Sequence, residues 1–162
     1  LVAESDAAAG EKQGQPTIAT VDGKIFLANT VLHKEVFGPY SLVVRCADMQ
    51  EMVEVAKHME GQLTATLMAT VNDINENEEL VESVKNICGR FILNNVPTGV
   101  EVCPSMHHGG PFPATTDARF TSVGADAIKR FARPVAFQNW PDELLPDELK
   151  TENPLGIRRR ES

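Results

Sequence analysis

The 162-residue sequence has few cysteines, few aromatic residues and fewer basic than acidic side chains. Its three cysteines, Cys46, Cys88 and Cys103, are an odd number at wide spacing, which excludes a disulfide framework and a C-x-x-C metal or redox motif. We therefore expect reduced thiols and a cytoplasmic protein. Lysine and arginine number 15 against 23 aspartate and glutamate residues, a net charge of −8. Because the chain has no basic stripe, we expect it not to bind nucleic acid.

Long hydrophobic runs are also absent from the sequence. Its longest apolar stretches are short runs such as residues 42–44, far below the ~18 residues of a spanning helix, so no membrane contact is expected. The first dozen residues lack the apolar core of a secretory signal. The length and the hydrophobic fraction of 42% are those of one folded domain. The chain begins at Leu1 and not at methionine, so we expect a piece of a longer protein.

The start of the chain predicts a flexible lead-in followed by a hairpin. Residues 1–16 are rich in small and polar residues and have no hydrophobic period. Residues 17–21 and 25–28 flank Asp22-Gly23, a dipeptide that supplies positive φ in tight turns. This arrangement predicts two short antiparallel strands.

The centre of the chain alternates between strand and helix patterns. Asp48 and Glu51 predict the start of a helix with a capping box, whose apolar stripe ends before Gly61. The predicted strands are residues 40–47, 63–71 and 90–96, and the predicted helices are residues 49–59 and 75–88. Such alternation is typical of right-handed βαβ crossovers, so we predict an α/β domain with a mostly parallel sheet and covering helices over residues 17–140.

The pattern dissolves over residues 97–121 into glycine, proline, threonine and histidine, a loop long enough to be functional. A short helix is predicted over residues 123–132 and a last strand over residues 135–138. Residues 141–162 contain three prolines and predict an irregular C-terminal tail.

The motifs of a self-sufficient enzyme are missing from the sequence. It contains no G-x-G-x-x-G, no phosphate loop and no G-x-S-x-G. Cys103, His107 and His108 offer three zinc ligands for a hydrolase, but adjacent histidines project in different directions and a fourth ligand is not evident. Ser105, His107 and Asp117 are the residue types of a catalytic triad, which is recognised by geometry and not by composition.

Residues 35–39 (EVFGP) have two interpretations. One is a surface turn before a strand, with Phe37 as an anchor in the core. The other is half of a nucleotide-binding clamp, in which the Glu35 carboxylate accepts hydrogen bonds from a vicinal diol and the Phe37 ring backs a flat heterocycle.

Residues 106–117 (MHHGGPFPATTD) also have two interpretations. They form either an ordered loop packed by Phe112 or a binding site. In the second case Gly109-Gly110 lets the backbone approach a ligand closely, and the His108 imidazole donates, accepts or shuttles protons.

These stretches resemble the C-terminal part of an aldehyde dehydrogenase. Residues 35–39 match the E-x-F-G-P motif of that superfamily, and residues 89–94 match its G-x-x-x-x-N strand. Other stretches resemble the 2,5-dioxovalerate (α-ketoglutaric semialdehyde) dehydrogenase and fatty aldehyde dehydrogenase branch. These are residues 61–66, 97–102, 108–117, 121–124, 130–135 and 153–156.

The resemblance implies a partial catalytic domain that binds NADP or NAD. Glu35 would hold the hydroxyls of the nicotinamide-side ribose, and Phe37 would contact the nicotinamide. In this family a cysteine thiolate attacks the aldehyde, hydride passes to the cofactor and a glutamate-activated water releases the acid.

The resemblance also implies a substrate pocket. Phe112 would line the pocket for the aldehyde, with Thr98 and Val100 in a loop at its mouth. His108 would lie near the reacting centre as a proton relay. A homo-oligomer is a further expectation.

The sequence departs from the family pattern in one large respect. The segment with the nucleophilic cysteine, the base, the oxyanion asparagine and the dinucleotide-binding domain would lie before Leu1. We therefore expect the chain alone to be inactive and its partner to be the rest of its own parent chain. The alternative is a freestanding, non-catalytic binding or oligomerisation module, and a zinc hydrolase is a third hypothesis.

Overall fold

The computed structural model describes residues 2–6, 10–99 and 102–159. Its strands and helices are β1 (Ala3–Glu4), β2 (Thr17–Asp22), α1 (Gly23–Ala28), β3 (Tyr40–Arg45), α2 (Met49–His58), β4 (Gln62–Leu67), α3 (Val71–Glu76), α4 (Glu78–Asn86) and β5 (Cys88–Leu93). Short 3₁₀ turns lie at Thr30–His33, Ala125–Phe131 and Asp142–Leu144. The chain divides into two units, Leu1–Arg130 and Phe131–Ser162.

The sheets are mostly parallel. Strands β2 and β3 pair in parallel over six residues each, and β1 adds a short antiparallel pair to β2. Strands β4 and β5 form a second parallel pair. The predicted α/β class with parallel strands and helices is confirmed. The described strands nevertheless form two sheets, β1-β2-β3 and β4-β5, so β3 and β4 do not pair although α2 connects them.

The predicted hairpin near the start of the chain is wrong. Strand β2 is present, but Gly23–Ala28 forms helix α1, so Asp22-Gly23 leads from a strand into a helix. The helix buries Phe26, whose ring stacks on His33 with centroids 4.4 Å apart. Strand β3 pairs with all six residues of β2, whereas the predicted hairpin arm of four residues would pair with at most four.

Helix α2 begins after Asp48 as predicted, but without the complete capping box. The Asp48 carboxylate accepts a hydrogen bond from the Glu51 backbone N–H at 2.8 Å, and the Glu51 carboxylate accepts one from the Ala47 N–H. The predicted apolar stripe is only partly buried: Val53 and Ala56 pack with Leu80 of α4. The stripe's three methionines, Met49, Met52 and Met59, are exposed.

The second predicted helix is interrupted at Asn77. A capping box of Thr70 and Asp73 begins α3 four residues before the expected start. The Asn77 side chain donates to the Asp73 carbonyl, a local bond that competes with continued helix, and α4 begins at the next residue. Gly89, which falls between the predicted helix over residues 75–88 and the predicted strand over residues 90–96, lies inside β5.

The C-terminal unit contains no strand within its described residues, so the predicted strand over residues 135–138 is wrong. A strand needs a hydrogen-bonded partner strand, and among the described residues no strand pairs with residues 135–138. The unit is held by local contacts instead, among them Asp142 with the Thr151 hydroxyl at 2.7 Å and the Phe137–Trp140 ring pair.

The buried apolar core is small. Among the described residues its members are Phe26, Val53, Val55, Ala56 and Leu80, whereas many other large apolar side chains are exposed. No helix in the described ranges is long and apolar enough to cross a bilayer. The fold thus positions two loops, residues 34–39 before β3 and residues 102–121 after β5, on a frame that leaves much apolar surface uncovered.

Candidate functional site

The loop of residues 102–121 lies against the beginnings of strands β4 and β5. Gly109 and Gly110 are both buried there. A Cβ atom at Gly89 would overlap the Gly109 carbonyl, and one at Gly110 would overlap the Gln62 carbonyl. Gly61 meets the backbone of Pro111 in the same way. The glycine pair therefore brings the loop backbone onto the chain's own strands.

His108 precedes this glycine pair and is held by two hydroxyl side chains. Its backbone N–H donates to the Thr121 Oγ1 at 2.7 Å, and its carbonyl accepts from the Ser122 backbone N–H at 3.1 Å. The Ser122 hydroxyl also lies 3.0 Å from that carbonyl and 2.9 Å from the His108 Nδ1. Thr121 is only 4% exposed. The buried Thr121 thus holds the backbone of His108, and Ser122 contacts its ring.

A charged turn leads into these two hydroxyls. Arg119 donates from its backbone N–H and its guanidinium to the Asp117 carboxylate, and the Phe120 N–H donates to the Asp117 carbonyl. The hydrogen bonds from Arg119 lower the pKa of Asp117 to about 2. Asp117 therefore stays ionised at neutral pH and closes the turn before Thr121.

Lys34 and Glu35, at the start of the loop before β3, border an open cleft of about 810 Å³. Glu35 lines this cleft together with Leu42 and Val44 of β3, and the opposite wall includes Leu63 at the start of β4. The structure thus brings the predicted carboxylate to a concave surface between the two sheets. Within the described residues no hydrogen bond or ion pair engages the Glu35 side chain.

Phe37 does not pack into the core. Its side chain is 97% exposed, so the interpretation of Phe37 as a core anchor is wrong. A glycine and a proline follow it, and the chain then enters β3 without an apolar contact for the ring. The ring is thus free to pack against a group outside the described residues.

Of the predicted substrate-pocket residues that the structure describes, neither Phe112 nor Thr98 lines the cleft that Glu35 borders. Phe112 is 80% exposed, so it does not pack the loop as the alternative interpretation expected. Thr98 is exposed and its N–H donates to the Val96 carbonyl. Val100 lies outside the described residues. Among the described residues of the long loop, Pro113 and Ala114 line that cleft.

Two of the cysteines, Cys46 and Cys88, have thiol pKa values shifted away from those of a nucleophile. Burial, together with the nearby Glu51 and Asp48 carboxylates, raises the pKa of the Cys46 thiol. Burial likewise raises the pKa of Cys88. A nucleophilic cysteine needs the opposite shift, because the thiolate is the attacking form.

The proposed zinc ligands do not form a cluster. In the part of the chain that the structure describes, no three histidine, cysteine or acidic side chains are arranged to hold a metal ion. The Cys103 sulfur lies 3.4 Å from the Ser105 hydroxyl. His107 lies over Gly109, since a Cβ built there would contact the His107 ring.

Sequence reasoning missed Thr121 and Ser122 as site residues. Their stretch, residues 121–124, was recognised only as part of the resemblance. It also missed Arg90, whose Nη1 donates to the Gly99 carbonyl at 3.1 Å and so ties the loop at residues 97–99 to β5. Hydroxyl and guanidinium groups carry no periodicity, so pattern analysis gives no signal for such contacts across 9 to 14 residues.

Comparison of the sequence with those of known proteins shows the family of this chain. The chain is 46% identical over 158 residues to alpha-ketoglutaric semialdehyde dehydrogenase 2 of Azospirillum brasilense, an alignment that covers 98% of this chain and 30% of that protein. It is 47% identical over 148 residues to alpha-ketoglutaric semialdehyde dehydrogenase of Acinetobacter baylyi, covering 91% of this chain and 28% of that protein. No family model matches the chain.

A more distant relative is 3,4-dehydroadipyl-CoA semialdehyde dehydrogenase of Aromatoleum evansii, 32% identical over 103 residues, or 60% of this chain and 19% of that protein. The chain belongs to the aldehyde dehydrogenase family. Within that family it matches the C-terminal part of the α-ketoglutaric semialdehyde dehydrogenase branch. It spans less than a third of the length of the curated relatives it matches.

Proposed function

We propose that the chain is part of an NAD(P)-dependent aldehyde dehydrogenase that oxidises a 2,5-dioxopentanoate-like or fatty aldehyde to its carboxylate. The observation that carries the proposal is the identity of 46–47% over nearly the whole chain to two semialdehyde dehydrogenases. The coverage of the alignment also supports the proposal, because 158 of the 162 residues align with the first relative, including the loops around Glu35 and His108.

The residues present fit one end of a dinucleotide. The Glu35 carboxylate borders the cleft without a partner among the described residues, so it is free to accept two hydrogen bonds from a ribose diol. Phe37 offers an exposed ring for the nicotinamide. When bound, NAD or NADP accepts the hydride that leaves the substrate. The sequence holds no glycine-rich phosphate cradle, so the rest of the cofactor would bind elsewhere in the parent enzyme.

The remaining residues have supporting roles in this proposal. Phe112 and Thr98, both exposed, would border the aldehyde pocket once the parent chain covers them, and Val100 belongs to the same loop. His108 would accept or pass on a proton beside the reacting centre.

The isolated chain is inactive in this proposal. The two thiols with raised pKa values remain protonated near neutral pH, so they cannot serve as the attacking group. One wall of a cofactor site without a nucleophile cannot stabilise the transition state.

The rest of the parent chain would dock against the β3 and β4 side of the cleft, leaving Glu35 at the border of the cleft for the ribose. Parallel strands are ordinarily covered on both faces and paired at both edges, yet β3 and β4 each border the cleft without pairing to each other. Relatives that are more than three times as long supply the additional chain that such a docking requires. Self-association of the parent enzyme into a homo-oligomer is part of the same proposal.

The first experiment compares the purified chain with the full-length product of its gene. Each protein is incubated with 2,5-dioxopentanoate or a fatty aldehyde and with NAD⁺ or NADP⁺, and NAD(P)H formation is followed. We expect turnover by the full-length protein and none by the chain. Turnover by the chain would show that it is a self-sufficient enzyme, and no dehydrogenase activity in the full-length protein would overturn the proposal. A gene product of 17.7 kDa, the mass of this chain, would favour the non-catalytic module instead.

The second experiment tests the role of Glu35 in the full-length enzyme. Glu35→Gln keeps the shape but loses the charge, and we expect KM for the cofactor to rise about 10-fold, equivalent to roughly 1.4 kcal/mol of binding. Glu11→Gln is the matched control, because Glu11 is exposed and lies outside the cleft lining. An unchanged cofactor KM in the Glu35 variant would contradict the assignment.

A further inference from the structure

The hydroxyl groups of Thr121 and Ser122 contact His108 at different places, Thr121 at the backbone N–H and Ser122 at the ring. Each hydroxyl has one proton to donate, whereas a carbonyl oxygen only accepts. The Thr121 Oγ1 lies 2.7 Å from the Val123 carbonyl, so its proton is used there and the oxygen accepts the His108 backbone N–H. Thr121 therefore fixes the backbone of His108.

The Ser122 hydroxyl proton can be assigned in the same way. Its Oγ lies 3.0 Å from the His108 carbonyl oxygen, which has no proton to give, so the serine proton points to that carbonyl. The His108 Nδ1 lies 2.9 Å from the same Oγ. Because the only serine proton is already used, both contacts are hydrogen bonds only when Nδ1 carries a proton and donates it to the Ser122 oxygen.

We propose that Ser122 is a positioning residue that holds the neutral imidazole of His108 in its Nδ1–H tautomer. The Nε2 atom then carries the free lone pair and is the proton acceptor. No hydrogen bond to Nε2 occurs among the described residues. When Nε2 takes up a proton, Nδ1 still donates to Ser122, so the ring keeps its orientation in both protonation states. The catalytic meaning of this tautomer rests on the relay role of His108 in the proposed function.

The tautomer is measured on the 162-residue chain itself by two-bond ¹H–¹⁵N correlation NMR of the histidine rings. The spectrum is recorded at about pH 8.5, above the ~6.5 of an unperturbed imidazole, so that neutral rings dominate. Two other histidines serve as internal references. The His33 Nε2 lies 2.9 Å from the Phe26 carbonyl and must donate to it, whereas the His58 Nδ1 must donate to the Glu54 carbonyl. We expect the His108 pattern to match His58 and not His33.

Substitution of Ser122 separates positioning from mere packing. In Ser122→Ala both hydroxyl contacts are lost, and we expect the single His108 tautomer to be replaced by a mixture. Ser122→Thr keeps the hydroxyl and should restore the Nδ1–H pattern. Ser105→Ala is the control, since Ser105 is an exposed serine in the same loop that contacts Cys103 and not His108.

A His108 that shows the Nε2–H pattern in the unsubstituted chain would overturn the proposal. An unchanged Nδ1–H pattern in Ser122→Ala would also overturn it, provided that the His33 and His58 signals show an intact fold. If Ser122→Ala does not fold, the test rests on the unsubstituted chain and on Ser122→Thr. Both should show the Nδ1–H pattern, and an Nε2–H pattern in either would overturn the proposal.

The relay role is tested separately in the full-length enzyme. There Ser122→Ala should lower kcat about 10-fold with little change in KM for the aldehyde, and Ser122→Thr should restore kcat. A tautomer change in the chain without a change in kcat would support the positioning of His108 and contradict its relay role in the proposed function.

Discussion

Gly61, Gly89 and Gly110 mark places where two stretches of backbone touch. Sequence patterns explain glycines of this kind as helix stops or as ligand contacts. In the structure their hydrogen atoms instead face carbonyl oxygens of a distant segment, so that the loop around His108 lies directly on β4 and β5. At the residue scale, glycines that allow close backbone contact position the loop as much as hydrogen bonds do.

Gly110→Ala should destabilise the chain by about 1–3 kcal/mol, because the added methyl group meets the Gln62 carbonyl on a backbone that cannot move freely. Urea unfolding at equilibrium measures the loss. Gly38→Ala is the matched control, since nothing lies within 4 Å of a Cβ at Gly38, and its free energy of unfolding should change by less than about 0.5 kcal/mol. Equal effects of both substitutions would contradict the packing argument.

The Asp117–Arg119 pair predicts a pH dependence of the same loop. The pKa of Asp117 is lowered to about 2, so its stabilisation of the turn is fully present above its ordinary pKa of 3.8. It is lost as the pH falls from 3.8 through about 2. A ¹³C NMR titration of the Asp117 carboxyl group should give a midpoint near 2.

In Arg119→Ala the midpoint of Asp117 should return toward 3.8, because the side-chain hydrogen bonds are the largest cause of the shift. Arg133→Ala is the control, since Arg133 is exposed and has no part in the turn. A midpoint near 3.8 in the unsubstituted chain would show that the turn is open in solution.

At the scale of elements, helices α2 and α4 form the central packing contact. Val53 and Ala56 of α2 meet Leu80 of α4, and Lys57 reaches Glu79 across the same pair of helices at 2.8 Å. The salt bridge is solvent-exposed and contributes little, so the apolar cluster carries the contact. The small size of this cluster leaves the folding of the elements dependent on a few side chains.

Leu80→Ala should lower the free energy of unfolding by about 2–4 kcal/mol, because it removes a side chain from the only cluster of buried residues in the described chain. Val71→Ala, at a position 73% exposed at the start of α3, should change it by less than about 0.5 kcal/mol. Equilibrium denaturation of both variants provides the comparison. A loss below 1 kcal/mol for Leu80→Ala would show that the helices do not depend on this contact.

At the scale of the whole molecule, the chain has two parallel strand pairs with a cleft between them and much exposed apolar surface. A free-standing α/β domain ordinarily buries such strands. The proposed docking of the parent chain would give these strands neighbours and would cover part of this surface.

Co-expression with the remaining part of the parent enzyme should yield a complex in which the backbone amides of β3 and β4 exchange more slowly with solvent. Val44→Lys places a charge in the cleft lining and should weaken capture of the partner at least about 10-fold, because an unpaired charge is costly to bury. Val71→Lys, which lies outside the lining, should capture normally. Equal capture by both variants would exclude the cleft as the docking surface.

The α/β class, the start of α2 after Asp48 and the family were all predictable from the sequence, because they depend on local period, capping and motif order. The prediction at Asp22-Gly23 was wrong. Turn chemistry allows a hairpin there, but β2 pairs in parallel with the distant β3 instead. The position of Glu35 at a cleft and the contact of Ser122 with His108 were not predictable in this way and are seen in the folded chain alone. Such contacts join residues far apart in the chain, and no local pattern specifies which distant backbone or hydroxyl group a side chain will meet.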